Sequence, residues 1–107
     1  MLFRRRCYRN NFRQGQITID EMKNKIKQGA IVIEVRSKQE YNEGHIQDAI
    51  NIPDHEINNN IENIVRNKNQ LVVLYCQSGS RSQNAYMKML RKGYKNVYCL
   101  AGGLDMI

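Results

Sequence analysis

Residues 71–82 read Leu71-Val72-Val73-Leu74-Tyr75-Cys76-Gln77-Ser78-Gly79-Ser80-Arg81-Ser82. An apolar run runs into a cysteine, a loop of Gly, Ser and Arg follows, and a helical pattern begins near Arg81. An unbroken apolar run of this length is the pattern of a strand covered on both faces. If that strand ends on Cys76 and turns sharply into the helix, the backbone N–H groups of residues 77–81 are aimed at the sulfur. Unpaired amides at a helix start favour negative charge. The thiolate is the reactive form of cysteine, so Cys76 is the candidate nucleophile.

Outward from this junction, strand-like and helix-like segments alternate. Gln16 to Ile19 reads as a short strand, and Thr18-Ile19-Asp20-Glu21 has the form of a capping box. A helix follows to Gln28, with Ile19, Met22 and Ile26 at helical spacing and Gly29 as its stop. Residues 31–35 form a β-branched strand, residues 38–42 a short helix, and Ala49 to Ile52 a brief strand closed by Pro53. Within residues 54–66 a helix places Ile57, Ile61, Ile64 and Val65 on one face. The helix after the cysteine loop offers Ala85, Met89 and Leu90 to a core and stops at Gly93, and Asn96 to Ala101 is the last strand. Ser82 is expected at the N-cap of that helix, and Met22, Met87 and Met89 are expected to fill the core. Cys99 is expected to be a small core hydrophobe, and His45 a turn residue. Strands separated by helices imply parallel pairing and an α/β fold with helices on both faces of the sheet. In such sheets ligands gather beyond the carboxyl ends of the strands, where Cys76 lies.

The bulk properties narrow the class. A chain of 107 residues holds one domain, and no apolar run approaches the ~20 residues that cross a bilayer. The net charge is +7, and Arg4, Arg5, Arg6, Arg9 and Arg13 supply five of those charges in a stretch without Asp or Glu. Residues 1–14 are therefore expected to be a basic, disordered tail, and residues 15–107 the folded domain. The tail is also compatible with the cytoplasmic flank of a membrane anchor. A single Arg cluster without interleaved base-stacking residues gives little support for nucleic-acid binding. Cys7, Cys76 and Cys99 are odd in number and lack a C-x-x-C pair, and His45 and His55 lie far from them in sequence. Neither a disulfide framework nor a metal site is expected, and a reducing, cytoplasmic setting fits.

Four ordered segments together resemble the rhodanese family of sulfurtransferases. Ile33-Glu34-Val35-Arg36 is similar to the family's Asp-Val-Arg stretch, and residues 40–53, from Glu40-Tyr41 through Gly44-His45-Ile46 to Asn51-Ile52-Pro53, resemble its E-(Y/F)-x-x-G-H-I-x-G-A-x-N-(I/L)-P signature. Residues 76–82 match the active-site loop C-x-x-G-x-R-S, and Leu100-Ala101-Gly102-Gly103 the terminal L-x-G-G. The resemblance implies a sheet of five mainly parallel strands flanked by helices. It also implies transfer of a sulfane sulfur from thiosulfate or a persulfide donor to a thiophilic acceptor through a Cys76 persulfide. No metal or organic cofactor is implied. The partners implied are a small anionic sulfur donor and a thiol acceptor, with a sulfur-relay protein as a further candidate.

On this reading Gln77, Ser78, Gly79, Ser80, Arg81 and Ser82 form the substrate-binding loop. Arg81 either grips an anionic donor with its forked guanidinium or braces the loop by bonding its carbonyls. Gly79 supplies a backbone conformation that a Cβ would oppose. Three departures stand out: Glu34 is one methylene longer than the family's Asp, Asp48 replaces a Gly, and Leu104-Asp105 stand where an aromatic often follows the glycines. Two other functions share the scaffold. Phosphatases and arsenate reductases that resemble it use C-x5-R, whereas four residues separate Cys76 from Arg81 here. The other is a non-catalytic interaction module.

Overall fold

Alternation along the strands decides which side chains meet in this protein. The computed structural model describes residues 14–107. The basic tail expected over residues 1–14, apart from Gln14, lies outside the described residues, as does Cys7. Five strands form one sheet: β1 (Gln16–Ile17), β2 (Ile31–Glu34), β3 (Ile50–Asn51), β4 (Val72–Tyr75) and β5 (Val97–Leu100). Their order is β1-β5-β4-β2-β3, and every pairing is parallel. Four helices connect them: α1 (Ile19–Lys27), α2 (Lys38–Glu43), α3 (Ile57–Ile64) and α4 (Ser80–Arg91). Short 3-10 turns cover Asp54–Glu56 and Gly103–Met106.

Strand β4 is central, and all four of its residues are buried. Ile33, Val72, Leu74, Val97 and Cys99 point to one side and pack with Ile57 and Ile61 of α3 and Ala85, Tyr86 and Met89 of α4. Val32, Val73, Tyr75 and Leu100 point to the other side with Met22 of α1. Both faces are thus covered, and this explains the unbroken apolar runs. From β2 the chain moves to β3 at one edge, crosses back to β4 and then continues to β5 in the opposite direction. The order reverses between β2 and β4, so the loops leaving their carboxyl ends diverge and open a crevice. Cys76 follows β4 directly.

Local signals held at most boundaries. Thr18 and Glu21 form the expected capping box of α1, and Ser37 and Glu40 form a second one at the start of α2. The expectations for three residues, Ile64, Met87 and Ser82, need correction. Ile64 and Met87 are exposed, because the one-sided contact of α3 and α4 with the sheet is filled by Ile57, Ile61, Val65 and by Ala85, Tyr86, Met89. Ser82 is not the N-cap of α4. That helix starts two residues earlier, with Gly79 at its cap. At Asp48, φ is +68°, a left-handed conformation that Asp enters more readily than most residues.

Candidate active site

The strand-to-helix junction wraps the backbone around one sulfur. Cys76 Sγ accepts the amide of Gly79 at 3.1 Å and that of Ser82 at 3.3 Å. The Cys76 thiol lies 3.6 Å from Ser82 Oγ, to which it donates, and that hydroxyl donates to the Gly79 carbonyl at 3.1 Å. The sequence pointed to amides 77–81, but of these it is Gly79 that donates to the sulfur, and the second donor is Ser82 in the first turn of α4. Converging backbone N–H groups form a concavity that holds negative charge. Gly79 reaches this geometry with φ of +105°, a region where a side chain is strained. Cys76 itself is fully buried.

The loop is held from outside by the turn that begins at Gly103. Leu104 N donates to Cys76 O at 3.0 Å and Asp105 N to Gln77 O at 2.9 Å. A Cβ on Gly103 would collide with the Cys76 carbonyl oxygen, so this close docking requires glycine there.

The remaining loop side chains diverge. Ser78, Gly79 and Ser80 line a cavity of about 330 Å³ together with Gln16, Gln83 and Asn84. Gln77 turns away: its Nε2 donates to Asp105 Oδ1 at 2.6 Å, and its Oε1 accepts from Arg36 Nη1 at 3.4 Å. Arg81 pairs with a carboxylate and not with the carbonyls of the loop. Its guanidinium meets the Glu40 carboxylate in a two-pronged ion pair, Nη1 to Oε1 at 2.7 Å and Nη2 to Oε2 at 3.1 Å. The same Oε1 accepts the Ser37 amide at 3.0 Å. These contacts hold the Glu40 carboxyl down to about 2, with the Arg81 bond as the largest cause. Arg81 is raised in turn, chiefly by Glu40. Arg81 also borders a second cavity of about 190 Å³, lined by Val35, Ser37, Pro53, Asp54 and His55.

The sequence had also left open where the longer Glu34 carboxylate would reach. It is buried and lies on the sheet face opposite Cys76, where it pairs with Arg36 and accepts from the Tyr75 hydroxyl at 2.6 Å. Arg36 then links it to Gln77. His45 stacks on Tyr41 with ring centroids 3.6 Å apart. Cys99 is buried, and burial followed by the Cys76 charge pushes its thiol up to about 12. Among the described residues, no cluster of His, Cys, Asp or Glu could hold a metal ion. No helix there is long and apolar enough to cross a membrane. Sequence reading missed Glu40, Arg36 and Asp105 as loop partners. Only Glu40 carried a local signal, the Ser37-x-x-Glu40 capping pattern.

A family model described as the rhodanese-like domain matches residues 18–107. The chain belongs to the rhodanese-like family. Thiosulfate sulfurtransferase GlpE of Pseudomonas entomophila is 34% identical over 79 residues, covering 74% of this chain and 71% of that protein. A rhodanese structure with anions from E. coli superposes with a TM-score of 0.68 at 38% identity, covering 74% of this chain and 92% of that one. The tRNA uridine(34) hydroxylase of Photorhabdus laumondii is 33% identical over 78 residues, and the match spans 69% of this chain but only 22% of the hydroxylase. Rhodanese-like domains thus occur both in sulfurtransferases and as part of longer proteins with other names. The five-stranded parallel sheet and the Cys76 loop place this chain's fold within the family.

Proposed function

We propose that this rhodanese-like domain transfers a sulfane sulfur through a persulfide on Cys76. The Cys76 thiolate attacks the outer sulfur of a donor, the donor's S–S bond breaks, and the leaving group departs with that bond's electron pair, as sulfite from thiosulfate or as a thiolate from a persulfide. An acceptor thiolate or cyanide then attacks the outer sulfur of the persulfide and regenerates the Cys76 thiolate. One residue carries the group between two half-reactions, so ping-pong kinetics follow. The acceptor class is a thiophile, either a small thiol or the cysteine of a relay protein.

The observation that carries the reading is the pair of amides, Gly79 and Ser82, converging on Sγ at 3.1 and 3.3 Å. Preorganised N–H donors stabilise the negative charge on the attacking sulfur and on the persulfide formed from it. Phosphatase or arsenate-reductase chemistry has less support. Its oxyanion would need the loop arginine, and both prongs of Arg81 are engaged by Glu40. A purely non-catalytic module would have no use for a cysteine cradled in this way.

The test is the intact mass of the reduced protein after separate treatment with thiosulfate and with cysteine persulfide. A gain of about 32 Da, one sulfur atom, on Cys76 is expected, and Cys76→Ser should show none. Wild-type protein unchanged by both donors would overturn the proposal.

A further inference from the structure

The loops that lead into β2, β4 and β5 meet at the end of the sheet opposite Cys76. Gln70 Nε2 donates to Gly29 O at 3.2 Å, Asn96 Nδ2 to Asn69 O at 2.7 Å, and Lys95 N to Lys68 O at 3.0 Å. These bonds tie residues 25–30, 62–70 and 91–96 into one surface. The three segments hold two, two and three cations in turn, against a single carboxylate, Glu62.

Glu62 is taken up by two of them, meeting Lys68 Nζ at 2.8 Å and Lys92 Nζ at 3.5 Å. Lys25 Nζ lies over the Tyr98 ring, 4.1 Å from its centroid. Lys27, Arg66, Arg91 and Lys95 are exposed, and among the described residues no carboxylate lies within ion-pair distance of any of them. Helix ends explain Lys27 and Arg91, which stand in the last turns of α1 and α4, where cations complement the unpaired carbonyls. Arg66 and Lys95 lie outside the helices, in the loops before β4 and β5. Like charges gathered on one surface repel, and an anionic counter-surface relieves that repulsion. Two aliphatic side chains share this end of the molecule: Ile26 in the last turn of α1 and Ile64 at the end of α3, each 41% exposed.

We propose that this end of the domain docks on an anionic lipid bilayer, with Lys27, Arg66, Arg91 and Lys95 against the headgroups and Ile26 and Ile64 at the acyl boundary. Cations beside exposed aliphatic side chains are the combination that holds a peripheral protein to such a surface. Nucleic acid fits less well. Unpaired bases stack on open aromatic faces, whereas Tyr94 is buried beneath Lys68 and Lys25 covers Tyr98. A duplex bound through its phosphates would leave Ile26 and Ile64 without a role. Because the strands are parallel, docking by their amino ends leaves the Cys76 loop, at the carboxyl ends, facing away from the membrane. The inference does not depend on the sulfurtransferase reading.

The experiment measures co-sedimentation of the full chain with vesicles of phosphatidylcholine alone and of phosphatidylcholine with about one-third phosphatidylserine. The arginines near the start of the chain carry an attraction of their own, so the pole is read in a background with Arg4→Ala, Arg5→Ala, Arg6→Ala, Arg9→Ala and Arg13→Ala. That background protein is expected to sediment with the phosphatidylserine vesicles and not with phosphatidylcholine alone. Adding Arg66→Glu and Lys95→Glu should lower its partitioning by roughly tenfold or more, since each basic residue near an anionic leaflet contributes about fivefold. Arg66→Gln with Lys95→Gln gives the same reading, at a smaller factor, if the reversed charges prevent folding. A background protein that stays in the supernatant, or binds both kinds of vesicle equally, overturns the inference. So does partitioning that neither pair of substitutions changes, and so does tighter binding to an RNA duplex than to the phosphatidylserine vesicles.

Discussion

The Tyr75 hydroxyl donates to Glu34 Oε1 at 2.6 Å and accepts the Ile46 amide at 3.0 Å, joining β4, β2 and the loop before β3 on the face away from Cys76. Glu34 is fully buried, so its carboxylate depends on this donor and on Arg36. Removing the hydroxyl strips one bond from a buried charge and leaves a backbone amide unpaired. Tyr75→Phe should cost about 2 kcal/mol, in the range for hydrogen bonds to charged groups. Urea unfolding checks it, and a midpoint equal to wild type would show that water or another group replaces the hydroxyl.

Gly79 carries the loop through φ of +105°, and a Cβ there would stand 3.1 Å from the Gly102 nitrogen. Gly79→Ala should destabilise the domain by about 1–2 kcal/mol, the cost of a side chain in left-handed backbone. Because the same residue donates its amide to Sγ, sulfur loading should slow by roughly tenfold or more, as for loss of one oxyanion-type donor. Loading at the wild-type rate in a folded variant would show that this amide does not contribute.

Cys99 pairs in register with Leu74 of β4, and its thiol donates to Gln83 Oε1 at 3.3 Å. With its ionisation pushed up to about 12, it stays a neutral thiol near neutral pH and is a poor nucleophile. Cys99→Ala should keep persulfide formation at the wild-type rate while losing about 1 kcal/mol of stability to the small void. Loss of loading in that variant would give Cys99 a part in the transfer.

The Glu40–Arg81 pair also makes a pH-dependent contribution to stability. The folded-state carboxyl lies at about 2, below its ordinary 4.5. Such a group stabilises the fold fully above 4.5, and the contribution is lost as pH falls through 2. With Glu40 30% and Arg81 38% exposed, solvent limits it to about 1 kcal/mol. Wild type should exceed Glu40→Gln by that amount at neutral pH in urea unfolding, and the gap should close under acid. A gap constant with pH would show that the pair's charge contributes nothing to folding.

The kinds and order of the elements were legible because they depend on neighbours in the chain. The β-branched run of β2, the Thr18-x-x-Glu21 cap of α1 and the apolar run of β4 each signal their structure within a few residues. The same holds for the site's core, since Cys76, Gly79 and Ser82 lie within seven consecutive positions. Where a face is only partly covered, periodicity overreached. Ile64 and Met87 have the spacing of core residues and remain exposed.

Glu40 and Arg81 lie 41 positions apart in the chain, as do Glu34 and Tyr75, and 28 positions separate Gln77 from Asp105. Local pattern contains no information about such pairs, because they arise only when the parallel register brings the ends of β2 and β4 side by side and the terminal turn folds back onto the loop. The amino-acid order alone was enough to locate the candidate nucleophile Cys76 and the loop that turns around it. Which carboxylate pairs with the loop arginine followed only from packing, since electrostatic partners are chosen by distance in space.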